Sequence, residues 1–203
     1  RNADSVTDLN VLGSTAATTV NNLPAGANLT VSDTTSNITI GSNGVTGSSD
    51  SIAVTMAAVT GAADISLAGI ENISINSLSA NSIDLVATSA KSLTLSGDSA
   101  MTIGNLNTSG ATKIYTVDAS ESTGAVKLTT GSLSGVTPSQ DVTITGGSGA
   151  DDFDVSGHSI SDLNVSGGAG NDRITAAPVT TDTLAGGDGT DTLELTAAVA
   201  AAN

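Results

Sequence analysis

Apolar residues recur along this chain in short alternations with polar or small ones. Leu9 and Val11, Leu29 and Val31, Ile38 and Ile40, Ile52 and Val54, and Ile65 and Leu67 each flank a single Asn, Thr, Ala or Ser. Ile73 and Ile75, Ile83 and Leu85, Leu93 and Leu95, and Met101 and Ile103 repeat the arrangement. "KIYTVD", "AVKLTT", "DVTITG", "DFDVSG", "DLNVSG", "DRITAA", "DTLAGG" and "DTLELT" carry it onward. A period of two puts alternate side chains on one face of an extended strand. The pattern therefore predicts many short strands, each with one apolar face, starting roughly every ten residues. Helix signals are poor; "SVTDLNV" (5–11) and "TAAVAAAN" (196–203) are the only segments that allow partial helix.

Strands this short bury little alone. Stacked as coils of a solenoid, two strands and two turns per coil, each coil covers its neighbours. The predicted fold class is all-β: a right-handed parallel β-solenoid or β-roll. A hairpin sandwich would need tight Asn-Gly turns between most strands, and "SNG" (42–44) is the nearest case. Residues 42–51 and 134–140 read as longer turns on one edge. The expected organisation is an irregular start over 1–25, plain solenoid over 26–140, a motif-bearing roll over 141–196, and continuation of a longer chain over 197–203. No firm boundary separates these parts. The chain opens on "RNADS" with neither an initiator methionine nor a signal peptide, so we expect a piece of something longer.

Composition narrows the core and the partners. Tyr115 and Phe153 are the only aromatic residues among 203, so the core must be small aliphatics in a thin, regular space. There is no cysteine, hence no disulfide and no thiolate metal site. The formal charge is −15, with five basic residues. That argues against nucleic acid, whose phosphates need Lys and Arg, and against docking on anionic lipid. No run is long and apolar enough to insert in a membrane as a helix. An acidic surface repels itself, and bound divalent cations are the simplest neutralisers.

One motif occurs three times: "GGSGADDFD" (146–154), "GGAGNDRIT" (167–175) and "GGDGTDTLE" (186–194). Each matches G-G-x-G-x-D-x-U-x, a repeat signature that binds calcium. The starts lie twenty-one and nineteen residues apart, one coil each time, so the three turns should stack on one edge. "GHSIS" (157–161) and "APVTT" (177–181) should form the other. Calcium takes six to eight oxygens at about 2.3–2.6 Å, more than one aspartate supplies. Glycine turns can aim backbone carbonyls inward. The candidate ligand set is Gly146, Gly147, Ser148, Gly149 and Asp151; Gly167, Gly168, Ala169, Gly170 and Asp172; and Gly186, Gly187, Asp188, Gly189 and Asp191. Phe153, Ile174 and Leu193 should point into the core and tie ion binding to packing. Asp152 and Asp188 add field beside the ligands. His158, the only histidine, reads as a surface-turn residue. With no acid placed near it, it makes no catalytic triad.

The three motifs resemble the repeats-in-toxin family of calcium-binding β-rolls, although typical members fill both edges and this chain alternates motif turns with plain ones. "LAGIENISI" (67–75) and "YTVDASESTGAVKLTT" (115–130) are similar to segments of bacterial surface-layer proteins of the Caulobacter type. The resemblance covers residues 60–196. It implies a calcium-rich solenoid exported by type I secretion and self-assembled into a lattice on the outer cell surface, without enzymatic turnover. A cell-surface polysaccharide is then a partner for regions outside this segment. Asp118 in "VDAS" and Asp98 in "SGDS" are weaker calcium candidates, since aspartate commonly caps turns through its own backbone. The same roll would also serve as the stalk of a secreted adhesin, or as an accessory module of an extracellular enzyme.

Overall fold

The computed structural model describes residue 3 and residues 5–43, 47–61, 63–106, 114–130, 141–157, 162–177 and 181–196. These residues form strands and turns, with no helix. In chain order the strands are β1 (Asp8–Leu12), β2 (Thr18–Pro24), β3 (Asn28–Thr34), β4 (Ile38–Asn43), β5 (Ser51–Val59), β6 (Ala63–Ala68), β7 (Asn72–Ser77), β8 (Asn81–Val86) and β9 (Ser92–Gly97). They continue as β10 (Met101–Leu106), β11 (Thr116–Ser122), β12 (Val126–Thr130), β13 (Val142–Thr145), β14 (Asp152–Val155), β15 (Leu163–Ala169), β16 (Arg173–Ala176), β17 (Thr183–Asp188) and β18 (Thr192–Leu195).

The odd strands make one nine-stranded sheet and the even strands another. Each strand pairs in parallel with the one two places along, as β5 does with β7 and β14 with β16. Consecutive strands therefore lie in opposite sheets, which is a β-solenoid and excludes a hairpin sandwich. Parallel pairing in register stacks like on like. One row of the odd sheet runs Ile52, Ile73, Leu93, Val117, Ile144, Val165, Leu184. One row of the even sheet runs Ile83, Ile103, Leu128, Phe153, Ile174, Leu193. Most of these side chains are fully buried. Alternation along each strand decides which residues enter the space between the sheets, and repetition every coil makes that space a continuous aliphatic column.

Two expectations are corrected. The segment 5–11 is not helical: β1 begins at Asp8 and pairs with β3, Leu9 on Leu29 and Val11 on Val31. Tertiary pairing overrides a weak local preference here. Leu193 stacks in register on Ile174, yet it is 51% exposed because no described coil covers it. The expected turns at 134–140, 158–161 and 178–180, with His158 among them, and the segment 197–203 lie outside the described residues.

Candidate metal centre

One edge of the solenoid is a stack of turns leading from the odd sheet to the even one, at 77–81, 97–101, 122–126, 147–151, 168–172 and 187–191. Register ties them together. Ser77 and Ser122 both pair with Gly97, the Ser148 and Ala169 amides donate to the Ser122 and Gly147 carbonyls, and Gly168 pairs with Gly187. The last position of each turn forms a column: Asn81, Met101, Val126, Asp151, Asp172, Asp191. The three motif aspartates thus occupy one seam, one per coil.

Hydrogen bonds link this seam vertically. Val126 N donates to Asp151 Oδ1 at 2.7 Å, Asp151 N to Asp172 Oδ1 at 2.8 Å, and Asp172 N to Asp191 Oδ1 at 3.0 Å. Each carboxylate accepts from the backbone of the coil before it. Asp151 and Asp172 are each only 2% exposed. Asp151 Oδ2 accepts a further bond from Gly147 N at 2.9 Å. Asp172 Oδ2 is buried and accepts none. Among the described residues three other buried side-chain oxygens share that condition: Ser42 Oγ, Asp50 Oδ2 and Thr175 Oγ1.

The first glycine of each motif is required by packing. A Cβ on Gly167 would collide with Asp172 Oδ2 and with the carbonyl oxygen of Gly186 in the next coil. On Gly146 it would meet Asp151 Oδ2 and the Gly167 carbonyl oxygen. A carboxylate oxygen and a carbonyl oxygen therefore converge beside each of these glycines. Backbone angle matters at the second glycine. Gly168 has φ +105° and Gly187 φ +108°, and both belong to the ladder as extended residues of β15 and β17. Gly147 is in neither condition: β13 stops at Thr145, and the Gly147 amide turns onto Asp151.

Calcium would find the donor set it needs only by combining side chain with backbone. Among the described residues no three acidic or histidine side chains converge on a metal-sized space. An ion in the seam would take one carboxylate per turn, with glycine carbonyls and water completing its shell. The bare Asp172 Oδ2 and the crowding of oxygens beside Gly167 fit such an ion. Ser148, Ala169 and Asp188 lie at equivalent turn tips and tie the turns together through their backbones, Asp188 by accepting from Gly170 N at 2.8 Å. Gly149, Gly170 and Gly189 follow them, and a Cβ on Gly170 would strike the Gly149 carbonyl.

Other acids stand apart. Asp98 lies on the same edge, but at the tip equivalent to Ser148; it is exposed and accepts from Ser99 Oγ at 3.1 Å. Asp118 is on β11, where Oδ1 accepts from Ser120 N at 3.0 Å, a local cap. Asp152 faces outward between Lys127 and Arg173, and Arg173 also pairs with Glu194. This exposed ladder contributes little stability per pair. Asn81 went unnoticed in the sequence. It holds the seam position in an upstream coil, accepts Val59 N at 2.8 Å and donates to Ser77 Oγ at 2.8 Å.

Burial pushes the Asp151 carboxyl above the ordinary carboxylate range; the Val126 and Gly147 amides pull the other way, and the charge on Asp172 adds to the rise. Burial likewise raises Asp172; the Asp151 amide opposes this and the charge on Asp191 reinforces it. Asp152 moves down: desolvation opposes the shift, but Lys127 and Arg173 outweigh it. For a raised group the folded state binds more protons than the unfolded chain, so stability falls as pH rises through the folded value. The effect of Asp151 and Asp172 lies between about 3.9, the ordinary aspartate value, and their raised values. The contribution of Asp152 is lost only below that window. In metal-free buffer, a thermal melt at pH 4, close to the ordinary aspartate value, should show a higher melting temperature than one at pH 7.5.

The chain matches no protein-family model and no curated protein sequence.

Proposed function

We propose that this chain is a structural, calcium-stabilised β-roll segment of a secreted bacterial surface protein that assembles into a lattice on the cell exterior. The observation that carries this reading is the seam: three aspartates in register, one per coil, the middle one buried with a bare oxygen. Stacked carboxylates repel one another, and a divalent cation between turns reverses the sign of that interaction. Metal binding is then folding free energy. In the calcium-poor cell interior the motif coils stay loose, fit for export; millimolar calcium outside closes them. Once closed, the acidic faces of neighbouring copies are joined through further cations. The role is mechanical.

Calcium titration followed together by circular dichroism and light scattering tests both halves of the proposal. We expect β signal to increase first and particle mass to grow at higher calcium, with electron microscopy showing an ordered sheet. Isolated fibres would favour the adhesin-stalk alternative. Unchanged signal and mass up to 10 mM calcium, roughly tenfold above the weakest extracellular sites, would overturn the proposal.

A further inference from the structure

We infer that the three seam aspartates have unequal roles: Asp151 closes its own turn without metal, and the cation is held one coil on, by Asp172 Oδ2 and the Gly186 carbonyl. The inference rests on the calcium reading above and adds to it which residues hold the ion.

The asymmetry begins in the hydrogen bonds. Both oxygens of Asp151 have backbone donors, Val126 N on Oδ1 and Gly147 N on Oδ2. A carboxylate satisfied in this way has little to gain from a cation. Asp172 has one such donor, Asp151 N on Oδ1. Its Oδ2 is buried with none, although the sequence offers a glycine amide at the same offset. The reason is local. Gly168, at φ +105°, is drawn into the ladder with Gly187, whereas the equivalent Gly147 lies beyond the end of β13. An ionised oxygen left dry and unpaired costs too much to persist. The oxygen nearest in kind, the Gly186 carbonyl, crowds the same point beside Gly167. A carbonyl oxygen and a carboxylate oxygen that has no donor of its own, brought to one point, are what a cation joins.

The upstream seam supports the same division. Asn81 Oδ1 accepts Val59 N as Asp151 Oδ1 accepts Val126 N. The Asn81 amide nitrogen is bonded to Ser77 Oγ, the position that Gly147 fills in the later turn. A neutral residue therefore closes that turn with no ion. Asp151 repeats this closure with a carboxylate, and the seam is metal-independent up to it.

The test measures melting temperature with EDTA and with calcium for the wild type, Asp151→Asn and Asp172→Asn. Asp151→Asn should melt several degrees lower in EDTA, because an amide cannot satisfy both amide donors, and should keep more than half of the wild-type calcium increment. Asp172→Asn should melt at or above wild type in EDTA, having lost a buried unpaired charge, and should lose more than half of the increment. Equal loss of the increment in both variants overturns the division of roles while leaving the calcium reading intact. No increment in the wild type overturns both. If Asp151→Asn does not fold, Asp172→Asn decides alone: a full increment there refutes the assignment.

Discussion

Phe153→Ala should destabilise this protein by about 3–5 kcal/mol, the range for truncating a buried aromatic side chain. Phe153 is fully buried, whereas Tyr115, the other aromatic residue, packs only partly buried against the core. It sits in register between Leu128 and Ile174, where every other member of the row is aliphatic. Coils touch only their neighbours, so the cavity cannot be filled from a distance. The damage should concentrate in β14 and the coils beside it. Because Phe153 lies two residues after Asp151, loosening it should also blur the geometry of the first motif turn. Denaturant unfolding measures the loss, and hydrogen exchange locates it. Phe153→Leu should lose less, since a branched apolar group still fills part of the space. A loss below about 1 kcal/mol for Phe153→Ala would mean that this core collapses around a hole more readily than close-packed interiors do.

Saturating calcium should raise stability by about 2.7 kcal/mol per site at one hundred times the dissociation constant. For a chain of this size that corresponds to about 5–10 °C in melting temperature. The gain exceeds that of an exposed ion pair such as Lys127 with Asp152, because Asp151 and Asp172 are buried and the ion meets charge that water does not screen. Chelation should reverse it and enlarge the hydrodynamic radius, as the coils at 168–172 and 187–191, which the ion joins, separate. Magnesium should substitute poorly, since it demands a tight octahedron and keeps its own water. Equal melting temperatures in EDTA and calcium would remove the basis of the proposed function.

The alternation of Ile, Leu and Val with Ser and Thr made the strands legible, because a period of two has one geometric meaning. The coil length was legible in the motif spacing, and with it the placing of Asp151, Asp172 and Asp191 on one edge. What could not be read depends on stacking. "GG" at 146–147 and "GG" at 167–168 are the same letters, yet Gly168 is paired in the strand ladder with Gly187 while the Gly147 amide turns onto Asp151, so Asp172 keeps a buried bare oxygen and Asp151 does not. Asn81 is one asparagine among many, and its seam position exists only once β8 is in register with β10. Glu71 lies in "GIE", but no pattern in the letters says that its carboxylate is buried and accepts the Asp50 amide at 2.9 Å. Local preference misled at residues 5–11, where Leu9 and Val11 take their conformation from β3.

A crystal grown in calcium, with anomalous scattering recorded at long wavelength, gives the most direct measurement. The account predicts a peak in the seam at about 2.3–2.6 Å from both Asp172 Oδ2 and the Gly186 carbonyl oxygen. A map without density there, or with Asp172 Oδ2 bonded to a backbone amide in its place, would contradict it.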